Sequence, residues 1–189
     1  MHLYEAHLPV ADSEAAQRFY VEIVGLQFAH RDVTRDAIFL WAGADRRSML
    51  GLWGPSTTLG DKFHKCHIAF NVPLAELLAA GERLNAAGIQ TQNFAGEKTT
   101  EPSVIGSMPS AQLYFRDRDG HSLEFIALLH ESPDPGVCRG ALRMETTDPR
   151  YMRSPSRTER SKAISIMPAP LESNFVSTSL RLLWVNGNQ

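Results

Sequence analysis

The sequence predicts an α+β fold in which two βαβββ modules form an open eight-stranded cup, followed by a C-terminal tail. Three observations support this. A helical pattern flanked by short strand-like runs fills residues 2–54, the same order of elements recurs over 64–129, and the composition changes from about Glu131 onward. With 189 residues, 43% of them hydrophobic and 21% charged, the chain can bury an ordinary core and still carry an appendage.

The first module opens with an extended run, HLYEAHLPV. Asp12 to Val24 then places Ala15, Ala16, Phe19, Tyr20 and Ile23 on one helical face. Asp12 or Ser13 supplies the N-cap and Gly25 the stop. Three strands are expected at about 26–32, 36–42 and 47–54, with the Gly43–Arg46 stretch as a turn.

The pattern then repeats. Residues 64–72 are strand-like, Leu74 to Ala87 forms a second amphipathic helix closed by Gly88, and strands are expected at about 89–94, 111–116 and 121–129. The last two are joined by a turn through Asp119-Gly120. Residues 96–110 lack periodicity and are expected to loop over the mouth of the cup. The domain is therefore drawn as 1–130, with modules 1–54 and 64–130. The Pro-, Ser- and Arg-rich stretch 131–189 is expected to be a disordered tail, its one apolar cluster being Leu180 to Val185.

Charge and cysteine content narrow the partners. A net charge of -2 with a pI near 6.4 argues against a nucleic-acid partner, because phosphate binding needs a basic surface. Two cysteines make no disulfide framework, and no charged leader with an apolar run precedes Tyr4, so a reducing, cytoplasmic setting is expected. No stretch approaches the roughly 20 apolar residues of a membrane span. The expected partner is a small-molecule substrate, in a homodimer or in a single chain whose modules build the cup alone.

Strand alternation sorts side chains to one face or the other. On the fifth strand His67, Ala69 and Asn71 share the cup face, with Cys66, Ile68 and Phe70 turned away. Glu124 is a carboxylate between Leu123 and Phe125 on the eighth strand. Counting five residues back from Val72 reaches His67, and five back from Val10 reaches Glu5, with His7 on the same face as Glu5. Glu5, His67 and Glu124 form a set suited to one divalent cation, Zn, Mn, Ni, Co or ferrous iron, with positions left for water or substrate. The alternative for Glu5 is a carboxylate paired with His7, which satisfies both polar groups without an ion. His64 falls on the opposite face from His67, Cys66 reads as an inert thiol, and His121 belongs to the turn. Met49 and Trp53 share the parity of Gly51, and Gln112 that of Tyr114. Trp41, Phe39 and Trp53 read first as core aromatics.

The strings HLPVADSEAAQRFY, HIAFNV and LYFRDRDGHSLEFI resemble the three signature regions of the vicinal-oxygen-chelate superfamily, which includes glyoxalases, bleomycin-resistance proteins and extradiol dioxygenases. The resemblance covers about residues 2–129. It implies that His67 and Glu124 are metal ligands. The family's first-strand ligand, often histidine, falls here on Glu5, with His7 as the substitute if the register slips. The fourth ligand of the glyoxalase branch falls on Gly51, which cannot coordinate, so a three-ligand site is implied. Tyr114 matches a substrate-contacting tyrosine of the fosfomycin branch.

The activity expected from these readings is that of a glyoxalase-like metalloenzyme acting on a small metal-chelating oxygenated substrate. Glu5 or Glu124 would be the catalytic carboxylate that moves a proton next to a carbonyl. His7, Met49, Trp53, Asn71, Gln112 and Tyr114 would contact substrate. The competing readings are a metal-free, bleomycin-resistance-like protein that sequesters a drug, and an extradiol dioxygenase.

Overall fold

The computed structural model describes residues 2–58, 63–129, 140–146, 162–166 and 180–185. The chain divides into two compact units: Met1–Ile68 with Ala87–Ile89 and Phe115–Leu123, and Ala69–Ala86 with Gln90–Tyr114 and Glu124–Gln189.

The first unit holds β1 (Glu5–Pro9), α1 (Ser13–Phe19), β2 (Gln27–Asp32), β3 (Ala37–Ala42) and β4 (Ser48–Trp53). Asp12 caps α1, its carboxylate accepting from the backbone N–H of Glu14 at 3.0 Å and of Ala15 at 2.9 Å. These donors have no partner within the helix, and the bonds hold the Asp12 carboxyl below its usual range. The helix does not run regularly to its predicted end. Tyr20–Val24 is a π-helical turn, closed at Gly25 with φ 93°. A left-handed residue at this place ends the helix at little cost only when it is glycine.

The four strands form a sheet in the order β1-β4-β3-β2. β1 runs parallel to β4, and the β4–β3 and β3–β2 pairs are antiparallel. Alternation divides the sheet cleanly. Leu8, Ile38, Leu40, Leu50 and Leu52 form one buried face, and α1 packs on β3 and β4. The other face carries Glu5, His7, Met49, Gly51, Trp53 and Phe39.

The second βαβββ set is β5 (His67–Asn71), α2 (Leu74–Ala86), β6 (Ser103–Ile105), β7 (Ser110–Arg116) and β8 (Ser122–Leu128). Its strands lie in the order β5-β8-β7-β6, repeating the 1-4-3-2 order of the first set. Two bonds, Ser122 N–H to Cys66 O and Val72 N–H to Ile126 O, run in rising order along both strands, so β5 is parallel to β8 as β1 is to β4. Leu77, Ala80, Gly81 and Leu84 are the buried stripe of α2, at the spacing of one helical face. β5 and β8 each contribute residues to both units.

One predicted element is displaced. No strand forms over 89–94, where Gln92 alone makes isolated bridges to Lys98 and Tyr114. The edge of β7 is occupied instead by β6, with Ser103 opposite Gln112 and Ile105 opposite Ser110, inside the stretch expected to be an irregular loop. The chain reverses where Asn93 N–H bonds Glu97 O, so β7 offers Gln92 only the Tyr114 position.

Within 131–189, where the composition predicts disorder, β9 (Gly140–Thr146), β10 (Lys162–Ile166) and β11 (Leu180–Val185) extend the second sheet, β9 pairing with β6 and β11 with β9. Pairing to an existing edge supplies an order that the local pattern does not encode. The rest of that stretch lies outside the described residues. Neither sheet closes into a barrel. Among the described residues no helix is long and apolar enough to cross a membrane.

Candidate functional site

In the first sheet one row of residues crosses all four strands in register: His7 on β1, Gly51 on β4, Phe39 on β3 and His30 on β2. A Cβ at Gly51 would lie 2.7 Å from His7 Cδ2, 3.1 Å from Trp53 Nε1 and 3.2 Å from Phe39 Cε1. Three rings therefore meet over the space that glycine leaves. His7 and Trp53 lie 4.4 Å apart between centroids at a 36° tilt, and His30 stacks on Phe39 at 4.4 Å and 12°.

Above this row is a pocket of about 300 Å³ lined by Tyr4, Glu5, His7, His30, Arg35, Phe39, Met49 and Trp53. Its lower wall is apolar, since Phe39 and Met49 cluster with Ala37 against Trp41 and Trp53. Its polar groups come from Tyr4 and β1, from His30 on β2, from Arg35 in the β2–β3 turn and from the Trp53 ring on β4. Glu5 and His7, two residues apart on one face, are joined by a short hydrogen bond between Glu5 Oε1 and His7 Nε2. Arg35 Nε donates to Asp32 Oδ2 at 2.6 Å, a bond that holds the Asp32 carboxyl below its usual range.

The sequence-predicted residues divide as follows. Glu5, His7, Met49 and Trp53 are brought into this one pocket. His67 and Asn71 lie on the exposed face of β5, as alternation requires. Glu124 on β8 is only 6% exposed. On β7, Gln112 is fully buried with its amide donating to Ser110 Oγ, and Tyr114 is buried with its ring edge-on to Phe94 at 6.0 Å.

Sequence reasoning misses Tyr4, His30 and Arg35. His30 follows a β-bulge that shifts the β2 register between Phe28 and His30, so counting by twos along the strand does not mark it as facing the pocket. Arg35 belongs to a turn, where alternation has no meaning.

A second acidic cluster looks like a cation site. Asp117, Asp119 and His121 bring their ligand atoms within 4.8 Å of one another. Hydrogen bonds already account for it. Cys66 N–H donates to His121 Nδ1 at 2.9 Å, so Nε2 carries the proton and donates to Pro9 O at 2.7 Å. Neither nitrogen keeps a lone pair for a metal. Asp117 accepts from the Tyr20 hydroxyl at 2.9 Å and from the backbone N–H of Asp119 and His121. The cluster is a structural tie around a buried imidazole, which agrees with the turn role expected of His121.

The sequence model of the Glyoxalase/Bleomycin resistance protein/Dioxygenase superfamily matches residues 2–125. The chain belongs to that superfamily. Among solved structures, it resembles an integron cassette protein from the mobile metagenome of a Halifax Harbour sewage outfall, with 27% identity and a TM-score of 0.54 over 67% of this chain and 98% of that one. It also resembles the lactoylglutathione lyase of Agrobacterium tumefaciens, with 21% identity and a TM-score of 0.52 over 67% and 92%. Oxidase ChaP-H2 aligns with 19% identity and a TM-score of 0.54 over 71% and 98%. At these identities the likeness to the lyase and the oxidase concerns the fold and not the reaction. No functionally curated protein matches the chain.

Proposed function

We propose that the protein is a glyoxalase-like metalloenzyme of lyase or isomerase type, acting on a small substrate with neighbouring oxygens. Its divalent ion, Zn, Mn, Ni, Co or ferrous iron, would be held by His67, Glu124 and Glu5. The observation that carries this reading is Glu124, a carboxylate 6% exposed between two core residues. Carboxylate oxygens are ligands for such ions, and Glu124 already interacts with other groups of the chain, so an ion would add to those partners. His67 lies on β5, the strand next to β8 in the sheet, and is of a residue type that binds such ions. Glu5 has one oxygen bonded to His7 and a second to offer.

A bound divalent cation would supply Lewis-acid stabilisation of negative charge on a substrate oxygen. The chain's own residues would do the rest. His7 fixes the Glu5 carboxylate, Glu5 or Glu124 moves a proton beside the carbonyl, and the Phe39–Met49–Trp53 wall limits access of water. A homodimer in the cytoplasm is part of the proposal.

The decisive measurement is metal content after gentle purification. One ion per chain is expected, lost in His67→Ala and in Glu124→Gln. His7→Ala, which frees Glu5, is expected to weaken metal affinity by roughly 10–100-fold. Parent protein that retains no ion would overturn the reading. The Glu5–His7 bond favours a second reading, a metal-free protein that sequesters its ligand, because the pair already satisfies both groups. Ligand binding by metal-free protein, with no ion ever retained, would establish it.

A further inference from the structure

We propose that the ring-lined pocket of the first sheet binds a flat aromatic carboxylate, and that it does so without a metal. The inference takes from the proposed function only that this sheet face meets the ligand; the ion plays no part in it.

The argument begins with an orphan. Trp53 Nε1 is buried and has no hydrogen-bond partner among the described residues, although it lines the pocket and sits over Gly51. A buried N–H without an acceptor is costly, and a ligand oxygen that draws the ring a little into the pocket would offset that cost. The other side chains around the pocket point to the same chemistry. Arg35 spends only Nε on Asp32, leaving its terminal N–H groups, and no side-chain bond from the described residues engages Tyr4 or His30. His7 donates through Nε2 to Glu5 and, as a neutral ring, adds no further donor. Against these donors the only carboxylate among the described lining residues is Glu5, already bonded to His7. A wall with surplus donors and a guanidinium selects an acceptor-rich anion, and the planar fork of arginine matches a carboxylate.

Shape comes from the rings. The Phe39–His30 stack and the His7–Trp53 pair are two platforms on one sheet face, and aromatic faces favour a flat partner over a puckered one. About 300 Å³ lies at the small end of ligand pockets, which suits one or two fused rings.

Calorimetric titration of the full chain, dialysed against a chelator, tests this with three probes: 2-naphthoate, the puckered decalin-2-carboxylate and the planar cation 2-naphthyltrimethylammonium. We expect 2-naphthoate to bind about tenfold or more tighter than either comparator. Arg35→Gln should weaken it about tenfold, and Trp53→Phe, which keeps a ring and removes the N–H, roughly threefold or more. No binding of 2-naphthoate, equal or tighter binding of a comparator, or parent-like affinity in both variants would overturn the proposal. If Trp53→Phe does not fold, Arg35→Gln on the exposed turn decides alone. Repeating the titration with Mn²⁺ separates the two readings. Binding only in the presence of Mn²⁺ overturns this inference and leaves the metal reading standing, whereas equal binding with and without Mn²⁺ supports this inference, and an absence of metal from the gently purified protein overturns the metal reading by itself.

Discussion

Gly51 shows how a single absent methyl group shapes a ligand face. Its Cβ position is where His7, Trp53 and Phe39 converge, so Gly51→Ala must push at least one ring out of the row. We expect a loss of about 1–3 kcal/mol in urea unfolding, together with weakened 2-naphthoate binding; unchanged stability and binding would show that the row has slack. Tyr20 is the second informative residue. It is fully buried, and burial first, then the neighbouring Asp117 carboxylate, pushes its phenol far above the ordinary value. The folded protein therefore keeps this proton after the unfolded chain has lost it. The contribution is present in full below pH about 10 and lost as pH rises beyond that towards the folded value. Stability of the parent should fall on the alkaline side, and Tyr20→Phe should flatten that fall while lowering stability at neutral pH by about 1–2 kcal/mol. An identical alkaline slope in parent and variant would remove Tyr20 from the account.

At the scale of elements, Asp12 connects chain chemistry to helix placement. Its folded pKa is depressed, chiefly by the Ala15 N–H bond, so the contribution of the cap is present above the unfolded carboxyl value and lost as pH falls through the folded one. Asp12→Ala is expected to lower the melting midpoint by roughly 2–4 °C near neutrality, and Asp12→Asn, which still accepts the bonds, by less. Equal midpoints in all three proteins would mean that α1 is set by packing alone. That helix is legible in the sequence because capping and the 3.6-residue period are local, and so is the shared face of Glu5 and His7, which needs only alternation by two. The displaced β6 is not. Which of two flanking segments wins the edge of β7 depends on a competition between Gln92 and Ser103–Ile105 that no local window contains. His30 is hidden for a related reason, since a bulge changes the meaning of every later position in its strand.

At the scale of the molecule, His121 joins three distant parts of the chain. Its ring is fully buried, accepts from the N–H of Cys66 just before β5 and donates to the C=O of Pro9 at the end of β1. The residue next to Cys66 is His67, and Pro9 ends the strand that carries Glu5 and His7, so this imidazole helps to fix both candidate ligand strands. From sequence it can be read only as part of a turn, because its partners lie 55 and 112 residues away. Truncating it takes the partner from the part-buried N–H of Cys66 and the buried C=O of Pro9 and opens a cavity. His121→Ala is therefore expected to destabilise the fold by about 3–5 kcal/mol in urea unfolding, with metal or 2-naphthoate binding falling in the molecules that remain folded. Asparagine could keep one of the two bonds and should recover part of the loss. A cost below about 1 kcal/mol for the alanine variant would show that the two backbone groups find other partners, and the positions of Glu5, His7 and His67 would then have to be held by strand pairing alone.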